Sequence, residues 1–118
     1  MTLEGMAGSL VDGTFQRYIV WDDERLWRAP SHLSMEESSS LLVAGLTAYR
    51  ALFHGPVKLE PGMTVLTQGT GGISCFAIQF AKATGMKVVT TSSSDEKLEV
   101  AKRLGADATV NYRKTPEW

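Results

Sequence analysis

The stretch VLTQGTGGISCFAIQFAK, residues 65–82, decides how the rest of this chain is read. A short apolar run is followed by three glycines in four residues, Gly69, Gly71 and Gly72. After them Ile73, Phe76, Ala77, Phe80 and Ala81 recur at helical spacing. The pattern predicts a strand, a glycine turn and a helix. Gly69 and Gly71 fill the first two positions of G-x-G-x-x-G, and Ser74 takes the third. Gly69 suits a tight turn, Gly71 leaves the main chain bare, and Gly72 adds clearance. The helix start then offers free N–H groups and the positive end of its dipole to a diphosphate. A plain tight turn in an α/β protein would use the same glycines, so the motif alone leaves both readings open.

The context narrows the choice. Downstream, the periodicity predicts strands over 64–67, 86–92 and 107–112 and helices over 72–84 and 98–104. Ser93 and Glu96 are the expected caps of the second helix, and Gly85 and Gly105 the stops. The order β-α-β-α-β in about fifty residues argues a parallel sheet with right-handed crossovers. Upstream, Ser34 and Glu37 form a capping-box signature. Two helical pieces follow, interrupted near Gly45 and ending at Phe53, with Gly55 and Pro56 as the stop. The first thirty residues read as β structure. Phe15, Arg17 and Ile19 alternate with Thr14, Gln16 and Tyr18, Asp22 and Asp23 turn, and Leu26 and Trp27 suggest a short return strand. Such a hairpin needs partners that the sequence does not supply, so it is expected to be poorly held.

The chain has 118 residues, a net charge of -1 and 43% hydrophobic residues, enough for one modest core. No basic stripe points to nucleic acid, and no apolar run is long enough for a membrane span. The opening MTLEGMAGSLVDG lacks the basic and apolar regions of a secretory signal. One cysteine, Cys75, excludes a disulfide framework and fits a reducing cytoplasmic location. His32, His54 and Cys75 are too scattered for a zinc site. Cys75 reads as a small buried hydrophobe and His54 as a helix-end cation.

The residue ending the second strand is the next test. NAD sites carry Asp or Glu there for the ribose hydroxyls. Here it is Ser92, and the nearest acid, Asp95, falls in a helix first turn that accounts for it. A missing carboxylate removes repulsion against a 2′-phosphate, and Lys97 stands close enough to donate to one. That favours NADP over NAD, although a solvated helix lysine explains Lys97 as well.

At this point the segments DGTFQRYIV, LLVAGLTAYRALF and PGMTVLTQGTGGISCFAIQFAKATGMKVVTTSSSDEKLEVAKRLGADATVNY resemble the medium-chain dehydrogenase/reductase superfamily. The branch they look like is the zinc-free alcohol dehydrogenase-like and quinone oxidoreductase-like one. The resemblance implies an α/β fold: a half Rossmann unit, preceded by a small β hairpin and helices from a GroES-like catalytic domain. Residues 1–33 would be a remnant of that catalytic domain, and 34–118 the first half of the NAD(P)-binding domain. The chain is thus expected to be a truncated middle portion. The resemblance implies NADP(H) as cofactor and a carbonyl, enone or quinone as hydride acceptor. It places Gly69, Gly71, Gly72 and Ile73 against the pyrophosphate. Ser92, Lys97 and Tyr112 would surround the adenosine ribose and its 2′-phosphate, and Thr47 would lie near the nicotinamide. Thr47 could equally bond back to its own helical turn, and the ring of Tyr112 could merely pack on a neighbour. Zinc-dependent relatives carry a cysteine ligand where Val43 and Ala44 stand, so no zinc is expected. The resemblance also allows a homodimer. No general acid stands out, and a dinucleotide-binding or structural remnant without turnover is the alternative to an oxidoreductase.

Overall fold

A computed structural model describes residues 7–8 and 11–118, in two units, Met1–Pro30 and Ser31–Trp118. In the first unit the expected hairpin does not form. Ala7 makes an isolated bridge with Val11, and Asp23–Arg25 forms one 3-10 turn. Asp22 caps that turn by accepting the Glu24 N–H at 3.2 Å. The physical reason is burial. Alternation specifies a strand only where a sheet covers one face, and Phe15, Tyr18, Val20 and Trp27 all lie exposed. A two-stranded ribbon without such cover is marginal in water. The share of the β expectation on residues 1–6 and 9–10 lies outside the described residues.

The second unit opens with α1, Met35–Ser40, under the expected capping box. The Glu37 N–H donates to Ser34 Oγ at 3.2 Å, and the Ser34 N–H donates to Glu37 Oε2 at 2.8 Å. The expected interruption is a π-helical turn, Leu41–Gly45, before α2, Leu46–Phe53. Beyond it come β1 (Thr64–Gln68), α3 (Gly72–Ala83), β2 (Lys87–Ser92), α4 (Asp95–Arg103) and β3 (Ala108–Asn111). The helix α4 corrects one expectation. It starts three residues earlier than predicted, at Asp95, and its N-cap is Ser94, which makes no side-chain cap bond. Asp95 and Glu96 stand at the positive end of its dipole instead.

The three strands are parallel in the order β1-β2-β3, with Leu66 beside Val89 and Thr91 beside Val110. The two right-handed crossovers put α3 and α4 on one face of the sheet. Ile78, Ala81, Met86, Val88 and Ala101 form the core between helices and sheet. Ala48, Leu52 and Ala77 form a second cluster that seats α2 on α3. Inside the sheet, Thr67 and Thr90 share a buried hydroxyl–hydroxyl bond of 2.8 Å. The consequence for function is positional. The α3 N-terminus and the ends of β2 and β3 all open on the carboxyl edge of one rigid sheet.

Candidate functional site

The loop from β1 to α3 begins at Gly69, whose φ of 91° is a left-handed conformation that residues with a side chain adopt only under strain. Its N–H donates to the Thr91 carbonyl at 2.8 Å, which fastens the turn to β2. Gly71 is the extended N-cap of α3, and a Cβ built on either Gly69 or Gly71 would meet nothing within 4 Å. No side chain caps α3. The first intrahelical-type bond at this end runs from the Cys75 N–H to the Gly71 carbonyl, 2.9 Å. The N–H groups of Gly72, Ile73 and Ser74 precede it, so no helical carbonyl reaches them. Bare donors, open space and a positive dipole end coincide on this one turn. That arrangement is suited to an anion, and a diphosphate has the charge and size to meet several of its donors. The glycine loop is thus neither plugged by side chains nor turned away from the strand ends.

The structure ties three more of the expected positions to this loop or close beside it. Ser92 ends β2 buried, with its Oγ 3.3 Å from Thr70 Oγ1 in the glycine loop. The Tyr112 N–H donates to the Ser92 carbonyl at 3.1 Å, so Tyr112, half-exposed, stands next along the same edge. Ile73 is half-exposed in the first turn of α3. Lys97 lies exposed in the first turn of α4, and no hydrogen bond holds its ammonium among the described residues. Thr47 is exposed on α2, and among the described residues no bond brings it to the loop.

Three residues escaped the sequence reading. Thr70 binds Ser92 across the loop mouth. Asn111 donates to Asp95 Oδ1 at 2.6 Å, and Lys114 pairs with Asp95 Oδ2. The Lys114 hydrogen bond, then that of Asn111, holds the Asp95 carboxyl below its ordinary pKa. Nothing local in the sequence signals this cluster, because Asp95 opens α4 while Asn111 ends β3 and Lys114 follows it, 16 and 19 positions away. Among the described residues two other carboxyls are lowered, and both are structural. In Glu36 the main cause is its backbone bond at the α1 start, and in Asp107 it is the hydrogen bond from Lys82. Among the described residues no three His, Cys, Asp or Glu side chains group to hold a metal ion.

Comparison with known proteins meets this geometry from outside. The family model for zinc-binding dehydrogenases matches residues 72–118. A zinc-type alcohol dehydrogenase-like protein of Schizosaccharomyces pombe is 52% identical over 112 residues, which cover 94% of this chain and 32% of that protein. The quinone oxidoreductase of Thermus thermophilus, solved alone and with NADPH, superposes with a TM-score of 0.70 at 36% identity, over 80% of this chain and 31% of its own. An NAD-dependent alcohol dehydrogenase superposes with a TM-score of 0.83 at 38% identity, over 90% and 31%. The chain spans about a third of the length of the relatives it matches.

Proposed function

The chain belongs to the medium-chain dehydrogenase/reductase superfamily, and on that premise we propose that its glycine loop holds the diphosphate of NADP(H). The activity served is hydride transfer between that cofactor and a carbonyl, enone or quinone. The single observation that carries this reading is the open, uncapped first turn of α3 at the carboxyl edge of the sheet. In it Gly69 makes the turn, Gly71 keeps the main chain bare, and Gly72 and Ile73 each contribute an N–H. Ser92, Lys97 and Tyr112 take the adenosine ribose and its 2′-phosphate, and Thr47 stands on the nicotinamide side. When bound, the cofactor supplies the hydride chemistry, and the chain's own residues bind it and orient it.

The phosphorylated cofactor is preferred because β2 ends in Ser92 rather than a carboxylate. Asp95, the nearest acid, is engaged by Lys114 and Asn111 and so is not free to grip ribose hydroxyls. The Thermus thermophilus relative was solved with NADPH, which supports the same choice, whereas the alcohol dehydrogenase relative is NAD-dependent. We read the reaction as zinc-independent, since Val43 and Ala44 stand where zinc-dependent relatives place a cysteine ligand. On this reading residues 1–33 belong to a GroES-like catalytic domain and 34–118 to the first half of the dinucleotide-binding domain, in a cytoplasmic protein that forms homodimers.

A second reading, binding without turnover, rests on a separate observation. Among the described residues, the carboxyls with a lowered pKa, those of Glu36, Asp95 and Asp107, sit in caps and ion pairs rather than at the glycine loop. Titration of the chain with NADPH and with NADH, followed by cofactor fluorescence, tests the proposal. NADPH is expected to bind at least about tenfold more tightly, the effect of one charge-assisted phosphate contact. Binding of neither cofactor ends the nucleotide reading. Turnover of a quinone or enone separates the two readings that remain.

A further inference from the structure

The third glycine of the loop has a different reason from the other two. Gly69 needs its left-handed φ, and Gly71 faces open space. Gly72 has neither property. It is helical, its φ is not positive, and a Cβ built on it would stand 3.3 Å from the Ala44 Cβ. Its missing side chain makes room for a neighbour in the fold.

That neighbour arrives by an unusual route. Ala44 lies in the π-helical turn Leu41–Gly45, and single π turns inside helices are frequent at functional sites. The next residue, Gly45, is buried, and a Cβ there would lie 3.6 Å from both Leu41 Cδ2 and Phe76 Cε1. The π turn is therefore packed closely on α3, with the Ala44 methyl against the residue that opens α3. Three residues further on stands Thr47.

We propose that Ala44 is a positioning residue: its methyl, delivered by the π turn, seats Gly72 and fixes the α3 start relative to the helix that carries Thr47. One small contact then sets the spacing between the diphosphate end and the nicotinamide end of the cofactor site. This inference rests on the nucleotide reading above. The distance leaves little slack, because a methyl on Gly72 would force one of the two elements to give by a few tenths of an ångström. A misplacement of about 1 Å at a reacting group can cost about a hundredfold, so a shift of a few tenths is expected to cost less, about tenfold.

The test is a double-mutant cycle on the full chain: unaltered, Gly72→Ala, Ala44→Gly, and both together, each titrated with NADPH and each melted thermally. Gly72→Ala is expected to weaken NADPH about tenfold, and adding Ala44→Gly to bring affinity back to within about threefold of the unaltered chain. Equal loss from Gly72→Ala in both backgrounds would mean that its methyl meets the cofactor itself, and overturns the positioning role. Unchanged affinity in Gly72→Ala overturns it too. If the unaltered chain binds neither NADPH nor NADH, the nucleotide reading fails first and the positioning role goes with it, whatever the melts show. Should Gly72→Ala not fold, Ala44→Val crowds the same contact from the other side, and full NADPH affinity in that variant overturns the inference.

Discussion

At the scale of single residues, space and hydrogen bonding decide what a substitution does. Gly71 combines an ordinary extended backbone, φ -77° and ψ 177°, with empty surroundings. A side chain there harms no fold contact and stands where a phosphate must approach. Gly71→Val is expected to weaken NADPH by at least about tenfold. Its far-UV circular dichroism should match the unaltered chain, and retained affinity would reduce the loop to a turn. Thr67 and Thr90 pose the opposite case, a polar pair sealed inside the sheet. Thr67→Val strands the Thr90 hydroxyl without its partner, at a cost of about 1–3 kcal/mol in urea unfolding. Thr67→Val with Thr90→Val should recover most of that loss, since two methyls replace two hydroxyls. A double variant no more stable than the single one would show that the bond is not what matters. The glycines, the Ser34–Glu37 box and the absent acid at Ser92 were all legible at this scale from the sequence. The Thr70–Ser92 and Asn111–Asp95–Lys114 contacts were not, because each joins residues about twenty positions apart.

At the scale of elements, Asp107 is the joint. Its Oδ1 accepts from Lys82 Nζ of α3 at 2.7 Å, its Oδ2 from the Val88 N–H of β2 at 2.7 Å, and its own N–H donates to the Val88 carbonyl at 2.9 Å. The Lys82 bond first, and the Val88 bond second, hold the Asp107 carboxyl below its ordinary pKa. A carboxyl lowered by folding binds its proton more readily when unfolded. Its stabilisation is therefore whole above the unfolded value, about pH 4 for aspartate, and is lost as pH falls through the lower folded value. Thermal melts between pH 3 and 7 should show a smaller acid-induced drop in Asp107→Asn than in the unaltered chain. An identical drop would remove Asp107 from the acid response. Element order and type over 64–111 were legible because each element carries its own period and its own stop. The start of α4 was misplaced because the apolar period begins only at Leu98, and the Ser93–Glu96 spacing that imitates a capping box does not form one. A serine one position later and two acids on the dipole hold that end instead.

At the scale of the whole molecule, both core clusters are built from residues 48–101, and among the described residues every α-helix and strand belongs to Ser31–Trp118. A chain of residues 31–118 is therefore expected to keep its circular dichroism, to melt within about 4 °C of the full chain, and to bind NADPH equally well. Loss of any of the three would give residues 1–30 a role that their exposed Phe15, Tyr18 and Val20 do not suggest. By itself the sequence determined the β-α-β-α-β order, the glycine turn between β1 and α3 and the want of a carboxylate after β2. Periodicity, glycine φ and caps act over a few residues and are written locally. Only the tertiary structure decided that residues 14–27 form no hairpin, that Asp95 is bound rather than free, and that Gly72 makes room for Ala44. A strand exists only if another covers it, a charge is free only if no distant partner reaches it, and a missing side chain takes its meaning from what packs in its place.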